Sequence, residues 1–341
     1  MIRAARTGKG FSGEGARGTG GHRWLTLLAV PACLASAGAM AQVYSDPPPV
    51  TQDTVQEPAQ QGTVQDAMPS DGMQGHDAMG AGQDTQRQEL GATQGQLAPA
   101  ADDDGLHIRV GLGVGGAPRY TGSDEYAGNL APIIDVSHGP YFFNTFEGLG
   151  ARLQSDGGAS ASASVFVDGG RTSKQDGNYM TGASKKLKGM NDVKSSNILI
   201  LQGTLPVAEW LAISARADTR ITGQRHRGTH YSLSLDSPIY QTERDEVGLS
   251  VSVNGGDRDY NNTYFGVTPE ESLTSRFSAF KAKAGLHSAG ISANWNHVLD
   301  EKWALSTVVD VEQLGGKVKD SPLVEKKTQA TAAIGFTYTF R

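Results

Sequence analysis

The chain has 341 residues, 38% of them hydrophobic, with 44 glycines and a formal net charge of −6. That balance is too polar for a bundle of membrane helices, each of which needs about 20 apolar residues in a row. The acidic charge argues against a nucleic-acid partner held by phosphate neutralisation, and a single cysteine excludes a disulfide framework.

The chain opens as a secretory leader. Arg3, Arg6, Lys9, Arg17 and Arg23 precede an apolar stretch from Trp24 to Ala41 that closes on Ala39-Met40-Ala41. A basic start, a short apolar run and an A-x-A end predict a signal peptide over residues 1–41, cut before Gln42. Pro31, Cys33 and Gly38 interrupt the run, which is short for a membrane anchor. The lone Cys33 falls inside this leader. No thiol is then left in the mature chain for a disulfide, a zinc site or a nucleophile. Val30-Pro31-Ala32-Cys33 is a poor lipoprotein box because of its proline.

Residues 42–104 are rich in Gln, Asp, Gly, Pro, Met and Ala and show no apolar periodicity. Such a segment buries too little apolar area to offset its ordering entropy, which predicts a disordered periplasmic extension. Met68, Met73, His76 and Met79 lie within it. Thioethers beside an imidazole suit Cu(I), but one cluster reads more simply as part of a tether. No cofactor or metal is expected.

From residue 105 the pattern changes to short alternating runs. Leu106, Ile108, Val110, Leu112 and Val114 alternate with His107, Arg109, Gly111 and Gly113. Similar alternation recurs at 159–168, 210–220, 246–254 and 303–312. Period-2 runs of this length fit strands that cross a bilayer at a tilt. The full strand reading is 105–114, 129–138, 146–153, 159–168, 193–204, 210–220, 230–236, 246–254, 277–286, 289–297, 303–312 and 328–340. Twelve is even, as single-chain bacterial barrels require, and ten is the alternative count. The 193–204 element is less regular, because Ile198-Leu199-Ile200-Leu201 is a continuous apolar run. The tight turns near 206–210 and 299–303 look alike, yet this count places them at opposite ends.

The last strand carries Ala330, Ala332, Ile334, Phe336, Tyr338 and Phe340 on one face, and Gln329, Thr331, Ala333, Gly335, Thr337 and Thr339 on the other. Apolar residues toward lipid and small polar ones toward a lumen describe an outer-membrane strand. Gly335, Tyr338 and Phe340 read as the terminal signal for barrel assembly. Charges agree with this frame. Arg109, Arg216, Asp218, Arg220, Lys281 and Asp310 all fall on the predicted lumen face, where they avoid the roughly 2–4 kcal/mol cost of a lipid-facing cation. The fold expected is all-β, an antiparallel transmembrane barrel over 105–341 behind the extension.

Several segments sharpen this. Pro118-Arg119-Tyr120-Thr121-Gly122-Ser123 is followed by Pro132, Phe142-Phe143 and Gly148-Leu149-Gly150. Then come Tyr264-Phe265-Gly266-Val267 and Ser321-Pro322-Leu323-Val324. Their order and spacing resemble the MipA/OmpV family of outer-membrane proteins, the MltA-interacting protein family, over 105–341. Arg276 after Ser275 and the final Arg341 depart from its pattern. The resemblance implies a scaffold that joins a murein lytic transglycosylase to a penicillin-binding protein, at the outer membrane of a Gram-negative bacterium. The alternative is a small-solute channel with a charged lumen.

An enzymatic reading has little support. His230, Ser232, Ser234 and Asp236 share a strand face, but residues two apart on a strand stand about 6–7 Å from each other, beyond hydrogen-bond reach. Polar lumen lining explains them better. Basic loop residues, Lys185-Lys186-Leu187-Lys188 and Arg225-His226-Arg227, are candidates for contact with lipopolysaccharide or an acidic partner.

Overall fold

The computed structural model describes residues 105–173, 182–223 and 227–340. The predicted leader, the extension with its Met/His cluster, Arg225, His226 and Arg341 lie outside the described residues.

Twelve antiparallel strands close into a barrel in which each pairs with its neighbours in sequence and the first pairs with the last. They are β1 (Leu106–Pro118), β2 (Tyr126–His138), β3 (Tyr141–Asn144), β4 (Gly148–Gln154), β5 (Ser160–Asp168) and β6 (Ser196–Ala208). There follow β7 (Leu211–Arg220), β8 (Thr229–Gln241), β9 (Asp245–Gly256), β10 (Gly285–Val298), β11 (Trp303–Leu314) and β12 (Thr328–Phe340). Closure leaves no sheet edge, which is what lets a sheet sit in lipid.

The seam between β1 and β12 runs from Ile108 opposite Phe340 to Gly116 opposite Ala332. Gly111 faces Thr337 there, and a Cβ at Gly111 would stand 2.1 Å from the Phe336 carbonyl oxygen. Only glycine lets the two backbones come so close.

Leu112, Leu130, Leu149, Val165, Leu201, Leu233, Val251, Ile291, Ile334 and Phe336 are exposed on the outer surface. On β12 the inward Gln329, Thr331, Ala333, Gly335 and Thr337 are all buried, as the alternation requires. The irregular β6 is apolar on both faces. Ile198 and Ile200 pack inward against Phe166, while Leu201 faces out.

Two strand readings are corrected. Residues 277–284 do not form a wall strand, and 285–286 open β10. Phe277 and Ala282 are buried in a cap of loops, and only an isolated bridge from Phe280 to Val267 is strand-like. Conversely, the strand expected at 146–153 is β4, and β3 before it, too short to show a period, was not expected. The two errors cancel in the count but not in the parity. With β3 restored, turns 209–210 and 299–302 lie at the same end.

That end carries only short connections, at 139–140, 155–159, 209–210, 242–244 and 299–302. The other end carries the long ones, 169–195, 257–284 and 315–327. Short periplasmic turns and long external loops are the rule in such barrels, which orients the chain. No described helix is long and apolar enough to cross a membrane, which has no bearing on strands.

Candidate functional site

The barrel interior is an ion-pair network. Arg216, Asp218 and Arg220 alternate along β7 and so point inward together. The Arg216 Nε donates to Asp218 Oδ1 at 2.8 Å, and its guanidinium lies 3.9 Å from Glu147. Glu147 also draws Arg152 at 3.6 Å and accepts from the Asn144 amide at 3.1 Å. It is 2% exposed, because the β3–β4 turn folds inside the wall. Arg109 pairs with Asp135 at 2.9 Å. Arg220 pairs with Asp168 and donates to Ser196 Oγ at 2.5 Å. Asp310 is buried in β11.

Lys281 departs from its expected place. It is exposed in the connection between β9 and β10, because 277–284 is not a wall strand. Sequence reasoning also missed Asp135, Glu147 and Asp168, the acceptors that neutralise the inward arginines. Inward position was legible for Asp135 and Asp168 from alternation; the β3–β4 fold-in that places Glu147 was not.

Helix α1 (Arg258–Phe265) turns aromatic rings into the outer mouth. Its N-cap Asp257 accepts from the Tyr260 amide and the Thr229 amide, both at 2.8 Å. Tyr260 then lies 5.2 Å from the His230 ring and 5.8 Å from the His287 ring. Tyr264 packs 4.7 Å from Tyr260, beneath the Arg220 guanidinium. Arg171 is buried and donates to the Tyr264 carbonyl at 3.0 Å. Burial lowers its pKa. A small cavity lined by Asp168, Asp218, Arg220, His230 and Tyr260 is left between helix and wall.

Above the mouth the long loops interlock. One apolar cluster joins Val193, Tyr264, Phe265, Ala282, Leu314 and Val318, and a second joins Tyr120, Leu187, Met190, Val267, Phe277 and Leu323. Gly122 has φ of 97°, a left-handed value suited to glycine. Its amide donates to Gln329 Oε1 at 2.9 Å, and its carbonyl accepts from Glu325 and Lys326 at 2.8 and 3.0 Å. The Ser321 hydroxyl donates to the Phe265 carbonyl at 2.6 Å. Helix α2 (Pro269–Thr274) opens on a capping box between Thr268 and Glu271, and Glu271 also accepts from the Asn191 amide at 3.0 Å. Lys186 ties Asp124 to Glu325, and Arg276 reaches Glu325 from another loop. Burial and then the nearby Glu325 push the Tyr120 phenol up to about 12.

The cap therefore assembles Tyr120, Gly122, Phe265, Val267, Ser321 and Leu323, which come from three distant segments. The sequence profile described as "MltA-interacting protein MipA" matches residues 110–340. The chain belongs to the MipA family. With its lipid-facing outer surface, this places it in the outer membrane of a Gram-negative bacterium. No curated protein matches it. Among solved structures, a loop-L8 deletion mutant of OmpT, an outer membrane protein of Vibrio cholerae, is 7% identical, with 69% of this chain and 98% of that one covered and a TM-score of 0.31. OprG from Pseudomonas aeruginosa is 11% identical over 71% of this chain and 100% of that one, with a TM-score of 0.22. OccK8 (OprE) from the same organism is 8% identical over 69% and 97%, with a TM-score of 0.26.

The remaining sequence candidates separate. His230 packs at a tilt against Tyr260 at the mouth, whereas Asp236 accepts from Ser234 at 3.1 Å and from Ser250 at 2.5 Å nearer the periplasmic end. Ser234 and Asp236 thus come within hydrogen-bond reach despite the two-residue spacing, because their side chains lean along the strand, but His230 stays apart at the mouth and the four residues of the hydrolase reading do not converge. Among the described residues no group of three His, Cys, Asp or Glu is placed to hold a metal. Of the assembly residues, Gly335 is inward, where a Cβ would meet Ile133 at 2.6 Å. Tyr338 sits edge-on to both Trp303 and Phe340, at 4.8 Å in each case.

Proposed function

We propose that this MipA-family barrel is a non-enzymatic scaffold of the cell envelope, linking a murein lytic transglycosylase to a penicillin-binding protein on its periplasmic side. The observation that carries the reading is the family match over 110–340. The interior supports it. A lumen crossed by paired charges and covered by α1 and two apolar clusters suits a rigid membrane-anchored platform. The same features weigh against the small-solute channel, because the inward arginines are neutralised rather than presented to solute. Docking would use the short turns 209–210, 242–244 and 299–302, which share the periplasmic end.

The test is capture from detergent-solubilised envelopes with the full-length protein as bait. Recovery of both murein enzymes, lost when those three turns are replaced by Gly-Ser segments in a barrel that still folds, supports the scaffold. Failure to recover either enzyme, with clear single-channel currents in planar bilayers, reverses the choice in favour of the channel.

A further inference from the structure

Five lysines stand together on one sector of the outer rim. Lys281 and Lys283 flank Ala282, and Lys317 and Lys319 flank Val318. Ala282 and Val318 are each 1% exposed within one apolar cluster that also holds Leu314. The Leu314 amide donates to the Lys327 carbonyl at 2.7 Å, so Lys327 is fixed beside the same cluster. Three segments are thereby held side by side above β10, β11 and β12. Burying Ala282 and Val318 turns the flanking lysines outward, and all five are exposed.

None of the five forms an ion pair among the described residues. Three other cations of the cap are engaged: Lys186 with Asp124 and Glu325, Arg276 with Glu325, and Arg119 with Glu125. One exposed carboxylate, Asp320, adjoins Lys319. In the basic run at 185–188 only Lys186 braces the loops, and Lys185 and Lys188 are exposed, but the run brings just these two open charges where the other sector gathers five.

Height fits a headgroup. Leu286, 64% exposed on the outer surface of β10, is three residues from Lys283. At about 3.3 Å per residue the lysine backbone stands no more than roughly 10 Å above a lipid-facing side chain. Unpaired like charges held together on an acidic protein repel one another until an anion meets them. Flexible ammonium groups are suited to phosphate, which they bind as point charges. We propose that this sector binds the phosphates of lipopolysaccharide in the outer leaflet, fixing the rotational face that the barrel presents to its lipid.

The experiment compares purified full-length protein in detergent with two probes, phosphorylated lipopolysaccharide and the same material with its lipid A phosphates removed. Wild-type protein should bind the phosphorylated form, more weakly as salt rises, and the dephosphorylated form at least about tenfold more weakly. The variant K281Q/K283Q/K317Q/K319Q/K327Q should lose at least about tenfold in affinity for the phosphorylated probe. The corresponding five arginine substitutions should retain it. Unchanged affinity in a heat-modifiable Gln variant overturns the proposal. So does equal wild-type affinity for the two probes, which would point to sugar or acyl contacts. If the Gln variant does not fold, the comparison of the two probes on wild-type protein decides alone.

Discussion

The Ser321 hydroxyl donates to the Phe265 carbonyl at 2.6 Å, tying two connections of the outer cap that lie far apart in sequence. Both residues belong to the segments that carry the family resemblance. Phe265 is 1% exposed and Ser321 is 3% exposed, so the bond has no competing water.

Ser321→Ala should therefore leave a buried carbonyl unsatisfied and destabilise the cap by about 1–3 kcal/mol. Hydrogen exchange at 257–284 and 315–327 should accelerate while the strand amides stay protected. Uniform exchange across both loops and strands would show that the cap does not open separately.

Arg220 is a second structural anchor. It meets Asp168 and Ser196 inside the barrel at 6% exposure. Arg220→Ala takes the guanidinium away from the buried Asp168 carboxylate, which keeps the Gly170 amide, at a cost of about 3–5 kcal/mol. The urea midpoint should fall accordingly. A double change, Arg216→Ala with Arg220→Ala, should leave capture of murein enzymes intact in folded protein. Loss of capture from that correctly folded variant would argue that the interior takes part in docking.

The brace between Lys186, Asp124 and Glu325 should respond to pH. Hydrogen bonding from Lys186 holds the Asp124 carboxyl below its usual range, and bonding to Asp124 and Glu325 raises Lys186. A depressed carboxylate stabilises the folded form above its unfolded value of about 3.9, and that contribution is lost as pH falls through the lower folded value. The raised amine contributes below about 10.4 and is lost above its folded value. Loops 119–125 and 184–190 should thus be protected from protease or exchange at neutral pH and loosen toward pH 3. Lys186→Met should abolish most of that difference. A wild-type cap equally protected at pH 7 and pH 3 would contradict the role given to this brace.

Phe340 and Tyr338 should matter more for assembly than for the finished fold. Phe340 is 48% exposed, and its main ring contact is Tyr338. Phe340→Ser should change the stability of detergent-refolded barrel little, yet lower the heat-modifiable fraction in outer membranes by several-fold. Normal levels in cells would refute a terminal recognition role.

Gly111→Ala is expected to damage closure itself. The added Cβ meets the Phe336 carbonyl at 2.1 Å across the seam, so β1 and β12 must separate locally. The folded yield on refolding should drop sharply. A substitution at Gly315, where an added Cβ meets nothing, should not have this effect.

The sequence by itself determined the wall. A period of two fixes which side chain meets lipid and which meets the lumen, and it is alternation that assigns Arg109, Arg216, Asp218, Arg220 and Asp310 to the inner face. The same rule misplaced Lys281, because the segment at 277–284 belongs to a loop cap in which Phe277 and Ala282 are buried. It also passed over β3, whose four residues are too few to show a period. The partners of the inward charges were decided only by the tertiary structure. Glu147 reaches Arg152 and Arg216 because the β3–β4 turn folds inside the wall, and Asp168 reaches Arg220 across the β5–β6 and β6–β7 pairings. The cap follows the same logic. Tyr120, Phe265, Ser321 and Leu323 are scattered in sequence, and only closure of the barrel brings their loops to one end. Local patterning sets the face of a side chain, whereas contact between distant loops depends on strand parity and on the ring that the strands close.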